Sequence, residues 1–499
     1  MKKQKIAEIL LFILIFLAIL SIILQKEIKD LDEIWNYTFA KNISEGMIPY
    51  KDFNMLQMPL LPLINGLILK LTFNELVVMR VLAALLCTSI LYMAYKIFNV
   101  LGIKKEISLI CTFILGYLLK DYYCIDYNYA TLLVTLIILY NEIIKYKRTN
   151  ELIKCDLRQD ILLGILAGIT FTLKQTSGIF IIIVCLGNKL LFVRKKEEFK
   201  IYIKSFLYRM IGVIIPITIM LIYIIINGAF SEFISYTFMG TKEFSNYVSY
   251  KNLMAYKIIN CLAIIVPISF VYAWIKSIIL EKDKCTYLLL VYSLAIFVIA
   301  FPISDKIHFM IASTIGIILC IYEIYYLIKI VYSKYLVNKK ILNKIIEGIC
   351  VFASTVIVLF TIFYGIKNIK KYKEMEKNFS ELNHYKYIPI NKNLENQIIN
   401  IDEYITKSKE KVIILDASAS IYMIPIDKYN KNYDMFLKGN LGESSFEKIT
   451  SDIKNNLETK YLILKDKYKK NWQTPNDIIN FAKSNKTKIG EIAIYDIYQ

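Results

Sequence analysis

Histidine is nearly missing from this chain, with His308 and His384 the two present among 499 residues. Cysteine is not rare, but all nine lie at or before Cys350 and no two form a C-x-x-C pair. These shortages remove the spacing signals of a zinc site and of a disulfide framework. Acidic residues are outnumbered, 42 Asp and Glu against 61 Lys and Arg, which leaves a net charge of +19. No small-residue cleavage site separates the first apolar run, residues 7–24, from the charged loop after it. That run therefore reads as a retained span and not a signal peptide. Fixed-period repeats and low-complexity segments are absent as well.

What the chain has in excess is apolar surface. Hydrophobic residues make up 56% of it and mean hydropathy is +0.47, beyond an ordinary soluble protein. Apolar runs long enough to cross a bilayer recur as far as residue 363. The positive charge sits largely in short blocks between them, at 2–3, 104–105, 145–158, 194–209, 276–284 and 334–344. Blocks of this kind orient helices and face anionic lipid, so membrane lipid is the expected partner and nucleic acid is not.

Placing the basic blocks in the cytoplasm gives about eleven spans. The stretch 58–71 is short, carries Pro59 and Pro62, and reads as a helix lying in the interface. Three spans, 107–119, 161–173 and 287–301, are short. The expected fold is a polytopic α-helical membrane protein, residues 1–366, followed by a soluble extracytoplasmic α/β domain, residues 367–499. In that domain KVIILD, YLILK and IAIYDIY read as strands, and 391–407, 443–457 and 475–483 as helices. The N-terminus is then cytoplasmic, and the setting is a plasma membrane crossed many times. This single parity puts Asp32, Glu33, Asp126, Lys174, Asp305, His308 and the tail on the outer side.

The first loop concentrates the chemistry. DLDEIWNYTFAKNISEG reads as a helix, with Asp30 as its cap, Glu33 at the capping-box position and Gly46 as its stop. Capping accounts for Asp30 and partly for Glu33. It leaves Asp32 beside Trp35 and Tyr37, an acidic-aromatic cluster in which a carboxylate can act as general base on a hydroxyl. Asp126, in KDYYCIDYN, is a helix cap or a second acid that orients an acceptor or holds a divalent cation; Asp121 competes for either role. Lys174, before Gln-Thr-Ser-Gly, is a snorkelling lysine or a point charge for phosphate, and Arg80 is a second candidate for that task. SDKIH groups Asp305, Lys306 and His308 in a solvated loop or beside a leaving phosphate. One histidine with these acids does not make a zinc site. Tyr236, Tyr247, Tyr250 and Tyr256 form an interfacial tyrosine belt or a sugar-stacking surface. GNLG in the tail reads as a turn.

DEIWNYTFAKNISEGMIPYKDFNMLQMPLLPLI resembles the first outer loop of GT-C superfamily membrane glycosyltransferases, among them the ArnT aminoarabinose transferases and the protein O-mannosyltransferases. In that family an Asp-Glu pair follows the first span, then an interfacial helix, and the Asp is taken as the catalytic base; the matching residue here is Asp32. LKQTSG and FPISDKIHF match later outer loops, and YNKNYDMFLKGNLG with NWQTPNDI resembles the tail of Gram-positive members. FPIS departs from the pattern, because related sequences often carry an Arg beside this Pro, a place that Lys306 can take.

The resemblance implies an inverting transferase that moves a sugar from a polyprenyl-phosphate donor to an extracytoplasmic glycan, lipid or protein. Asp32, Glu33 and Asp126 are the expected catalytic acids. Lys174, Lys306, His308 and Arg80 are expected on the donor phosphate, and Trp35, Tyr37 and Asp305 on substrate. The sequence specifies no cofactor, and a divalent cation is a candidate that no motif indicates. Other classes are a multispan lipid or solute transporter or flippase, and a non-catalytic envelope-assembly protein. A transporter calls for inverted repeats and ionisable groups at the bilayer midplane, and the sequence displays neither.

Overall fold

In this computed structural model the described residues are 2–28, 31–240, 248–255, 257–280, 283–335, 340–430 and 432–499. The roles expected of Asp30, Tyr247 and Tyr256 fall outside them. In chain order the helices are α1 (Lys2–Ile23), α2 (Leu31–Ser44), α3 (Leu60–Leu71), α4 (Leu76–Val100), α5 (Lys105–Leu119), α6 (Tyr127–Thr149), α7 (Leu157–Leu173), α8 (Gln175–Gly187) and α9 (Lys196–Ile226). There follow α10 (Phe230–Ile234), α11 (Lys257–Trp274), α12 (Lys284–Phe297), α13 (Lys306–Tyr335) and α14 (Lys340–Glu374). Among the described residues eight helices are long and apolar enough to cross a membrane. The three spans that the sequence marks as short correspond to α5, α7 and α12, which fall below that length. The chain divides into two units, each discontinuous in sequence.

The first unit, Met1–Ile23, Ala83–Met220 and Tyr247–Ile369, is a helical bundle. Its helices present apolar side chains outward. Leu10, Ile215, Ile268 and Phe352 point away from the protein, as a lipid-facing surface requires. α13 is the most enclosed of the long helices and α14 the least. Close packing of α7 on α9 depends on glycine. A Cβ at Gly164 would meet the Arg209 carbonyl, and one at Gly212 the Ile161 carbonyl.

That contact corrects the reading of the basic blocks. Lys145 and Arg209 do not face lipid; both are buried. Lys145 Nζ lies 2.9 Å from Asp160 Oδ1, while Arg209 reaches Asp160 at 3.0 Å and Glu142 at 2.5 Å. Lys189, on the α8 side, adds a third buried cation 3.4 Å from Asp160. Acids one helix away capture these cations, which a count of Lys and Arg along the chain does not register.

The second unit, Leu24–Leu82, Leu221–Asn246 and Lys370–Gln499, contains α2, α3 and the polar tail. Helix α2 ends as its sequence predicts: Gly46 takes φ 92°, and the Met47 N–H closes a 3.0 Å bond to the Asn42 carbonyl. Gly66 lets α3 lie against Ala40 and Ile43 of α2.

In the tail, α15 (Lys392–Lys407), α16 (Ala419–Met423), α17 (Ser445–Asn455) and α18 (Asn476–Asn485) accompany strands β1 (Val412–Ile414), β2 (Lys460–Leu464), β3 (Lys488–Ile492) and β4 (Tyr495–Tyr498). The sheet order is β1-β2-β4-β3, parallel only between β1 and β2. Ile413, Phe436, Ile449, Ile453, Tyr461 and Ile463 form part of its core.

Two details differ from the sequence reading. IAIYDIY is not one strand: the chain turns at Ala493, φ 46°, and β3, polar and split by Gly490, pairs back on β4. The boundary expected at residue 367 falls inside a helix, because α14 runs on to Glu374 with nothing before that residue to break it.

Candidate active site

The expected residues fall into two sets, one in each unit. In the second unit, Asp32 and Glu33 occupy the first turn of α2, where the positive end of the helix favours a carboxylate. They part company there. Glu33 is buried and paired with Arg80 through both oxygens, Nε to Oε1 at 2.9 Å and Nη2 to Oε2 at 3.0 Å. Arg80 is fully buried, and its Nη1 donates to the Lys26 carbonyl at 2.6 Å. This forked pairing holds the start of α4 to the start of α2 and commits the guanidinium to the protein. Asp32, in the same turn, is only partly buried.

Trp35 and Tyr37 lie in the interior, not at the surface. The Trp35 indole donates to the Ala417 carbonyl at 3.1 Å and the Tyr37 hydroxyl to the Asn74 carbonyl at 2.9 Å. Burial pushes the Tyr37 phenol well above its usual range. Both side chains fix the helix that carries Asp32.

In the first unit, three helix ends converge. Asp126 caps α6: its side chain accepts the Asn128 N–H at 2.6 Å. Lys174 forms the joint between α7 and α8. Its ammonium donates to the Asn128 side-chain oxygen and lies 5.2 Å from the centre of the Tyr127 ring. Burial lowers the Lys174 pKa to about 8, against the opposing pull of Asp126. Burial also raises the Asp126 carboxyl, while Lys174 and His308 draw it down. His308 enters from the first turn of α13, where Asp305 accepts its backbone N–H at 2.8 Å and meets its Nδ1 at 2.9 Å. Despite burial, His308 holds the Asp305 carboxyl below its usual range.

Asp126, Lys174, His308 and Asp305 are thus neighbours, and Lys306 starts the same helix turn. Asn128 is the member that sequence reasoning missed. Its position two residues past a capping Asp was the available signal. Among the described residues no group of three or more His, Cys, Asp or Glu is arranged to hold a metal.

A half-buried lysine and an imidazole that both act on one acid, with the amide of Asn128 between lysine and acid, are chemistry for receiving an anion. A partly buried carboxylate at a helix start is chemistry for taking a proton. The fold is similar to that of several solved structures. Its solved counterparts include ArnT from Cupriavidus metallidurans in the apo state, with TM-score 0.57 at 10% identity over 99% of this chain and 98% of that one. The same ArnT bound to undecaprenyl phosphate gives 0.55 at 10% identity, with the same coverage. The oligosaccharyltransferase of Archaeoglobus fulgidus gives 0.50 at 12% identity, over 91% of this chain and 69% of that one. No family model and no curated protein matches the sequence.

Proposed function

We propose that this protein is an inverting glycosyltransferase that moves a sugar from a polyprenyl-phosphate donor to an extracytoplasmic glycan, lipid or protein. The observation that carries the reading is the gathering of Asp126, Lys174 and His308 at three helix ends in the first unit. Support comes also from the fold shared with ArnT, which has been seen with undecaprenyl phosphate.

Asp32 takes the proton of the acceptor hydroxyl as that oxygen attacks the anomeric carbon. The bond from the anomeric carbon to the phosphate oxygen breaks, and polyprenyl phosphate leaves with the electron pair. Lys174, with His308 and Lys306, stabilises the charge that grows on the phosphate. Asp126 tunes the ammonium, and Asp305 orients the imidazole. Glu33 and Arg80 keep α2 in place, as Trp35 and Tyr37 do, and act on the reaction through that helix. The basic blocks that stay outside the buried cluster support a cytoplasmic N-terminus, about eleven spans and an outer tail.

Asp32→Asn keeps the size and the helix start but removes the base. The expected result is loss of transfer with normal membrane insertion, because the base of such a reaction contributes roughly 10²–10⁴-fold. Turnover near that of the unaltered protein would overturn the assignment.

A further inference from the structure

The tail is attached to the helix that carries Asp32 by a closed ring of polar contacts, all within the second unit. The ring starts at Glu33, paired with Arg80 of α4. At the first residue of that helix, the Leu76 N–H donates to the His384 carbonyl at 3.0 Å. The His384 imidazole meets the Asn74 carbonyl at 2.6 Å through Nδ1 and the Asp427 carboxylate at 2.7 Å through Nε2. Asp427 then pairs at 2.8 Å with Lys41, in the last turn of α2. A chord crosses the ring, from the Trp35 indole to the Ala417 carbonyl.

His384 is the joint. Three of its polar atoms are engaged, and its backbone sits at φ 69°, a left-handed conformation that a side chain of this size enters at a cost. Each ring nitrogen faces an oxygen, so the ring spans the gap between the two. Asp427 also stands at positive φ, 53°. Lys41 is buried although charged, held between Asp427 and Glu45.

From this we infer that His384 is a positioning residue, through which the C-terminal domain sets the placement of α2 and of the Asp32 carboxylate. The tail is then part of the catalytic apparatus and not a separate binding module. The inference rests on the proposed role of Asp32, and two independent readouts keep the failures apart.

The chain has three Trp, so Trp274→Phe with Trp472→Phe leaves Trp35 as the reporter. In that background His384→Ala should raise acrylamide quenching of Trp35. In the otherwise unaltered protein it should lower kcat by roughly 10- to 100-fold, the scale of a small misplacement of a reacting group. The donor KM should stay within about twofold, because the phosphate is bound elsewhere in the chain. His384→Asn, which tolerates the left-handed backbone and retains a donor, should restore part of both effects.

Should His384→Ala fail to fold, Asp427→Asn removes one link of the ring and is expected to move both readouts the same way. Unchanged quenching, or increased quenching with unchanged kcat, overturns the inference. Should the unaltered protein transfer no sugar from any polyprenyl phosphate, the proposed function fails, and quenching alone then decides whether His384 holds α2.

Discussion

At the scale of single residues, Lys174 is the most exposed to test by pH. Burial costs its charged form, which places its pKa at about 8, so the ammonium is lost as pH rises through that value. If that ammonium receives the donor phosphate, kcat/KM for the donor should fall above pH 8. The fall in kcat should come at higher pH, because a bound phosphate favours the charged lysine. Lys174→Arg, whose charge does not titrate in this range, should remove the fall while lowering the plateau. A flat kcat/KM profile from pH 7 to 10 in the unaltered protein would exclude this role. The sequence named Lys174, Asp126 and His308 separately, from loops and parity. It did not contain their juxtaposition, which depends on where α6 and α13 begin and α7 ends, nor the amide of Asn128 between lysine and acid.

At the scale of elements, α2 was legible as a helix because an acidic first turn, an apolar body and a terminal glycine all agree. Its surroundings were not legible. Arg80, 47 positions after Glu33, read as a candidate for the donor, whereas the fold places it on Glu33. Trp35 and Tyr37 read as candidates for substrate contact, whereas the tail covers one and the stretch before α4 holds the other. Long-range partners of this kind leave no periodic trace.

The buried pair has a direct consequence for stability. Arg80→Met strands a buried carboxylate and should cost about 3–5 kcal/mol, while Glu33→Gln with Arg80→Met should cost less, because no uncompensated charge remains. Thermal unfolding of the two variants in one detergent checks the order; a double variant no more stable than the single would contradict it. β3 escaped notice for a different reason. Its residues, KIGEI, are polar and interrupted by glycine, and β4 alone gives it its place.

At the scale of the whole molecule, the class of fold was legible and the count of crossings less so. Apolar runs are read one at a time, so the helices appear clearly. The short ones, α5, α7 and α12, do not declare themselves by length. The likeness to ArnT persists at 10% identity, as expected when a bundle of apolar helices constrains pattern more than residue identity. The resemblance therefore rests on a few loop residues and on the fold, and transfer itself has to be measured.

The most direct measurement is mass spectrometry of lipid extracts and surface glycans from cells that lack the gene, complemented with the unaltered protein or with Asp32→Asn. The account expects a polyprenyl-phosphate sugar to accumulate, and one sugar to vanish from the surface, in the deleted cells and with Asp32→Asn alike, while the unaltered protein reverses both. Identical lipid and glycan profiles with and without the gene, or full reversal by Asp32→Asn, would contradict it.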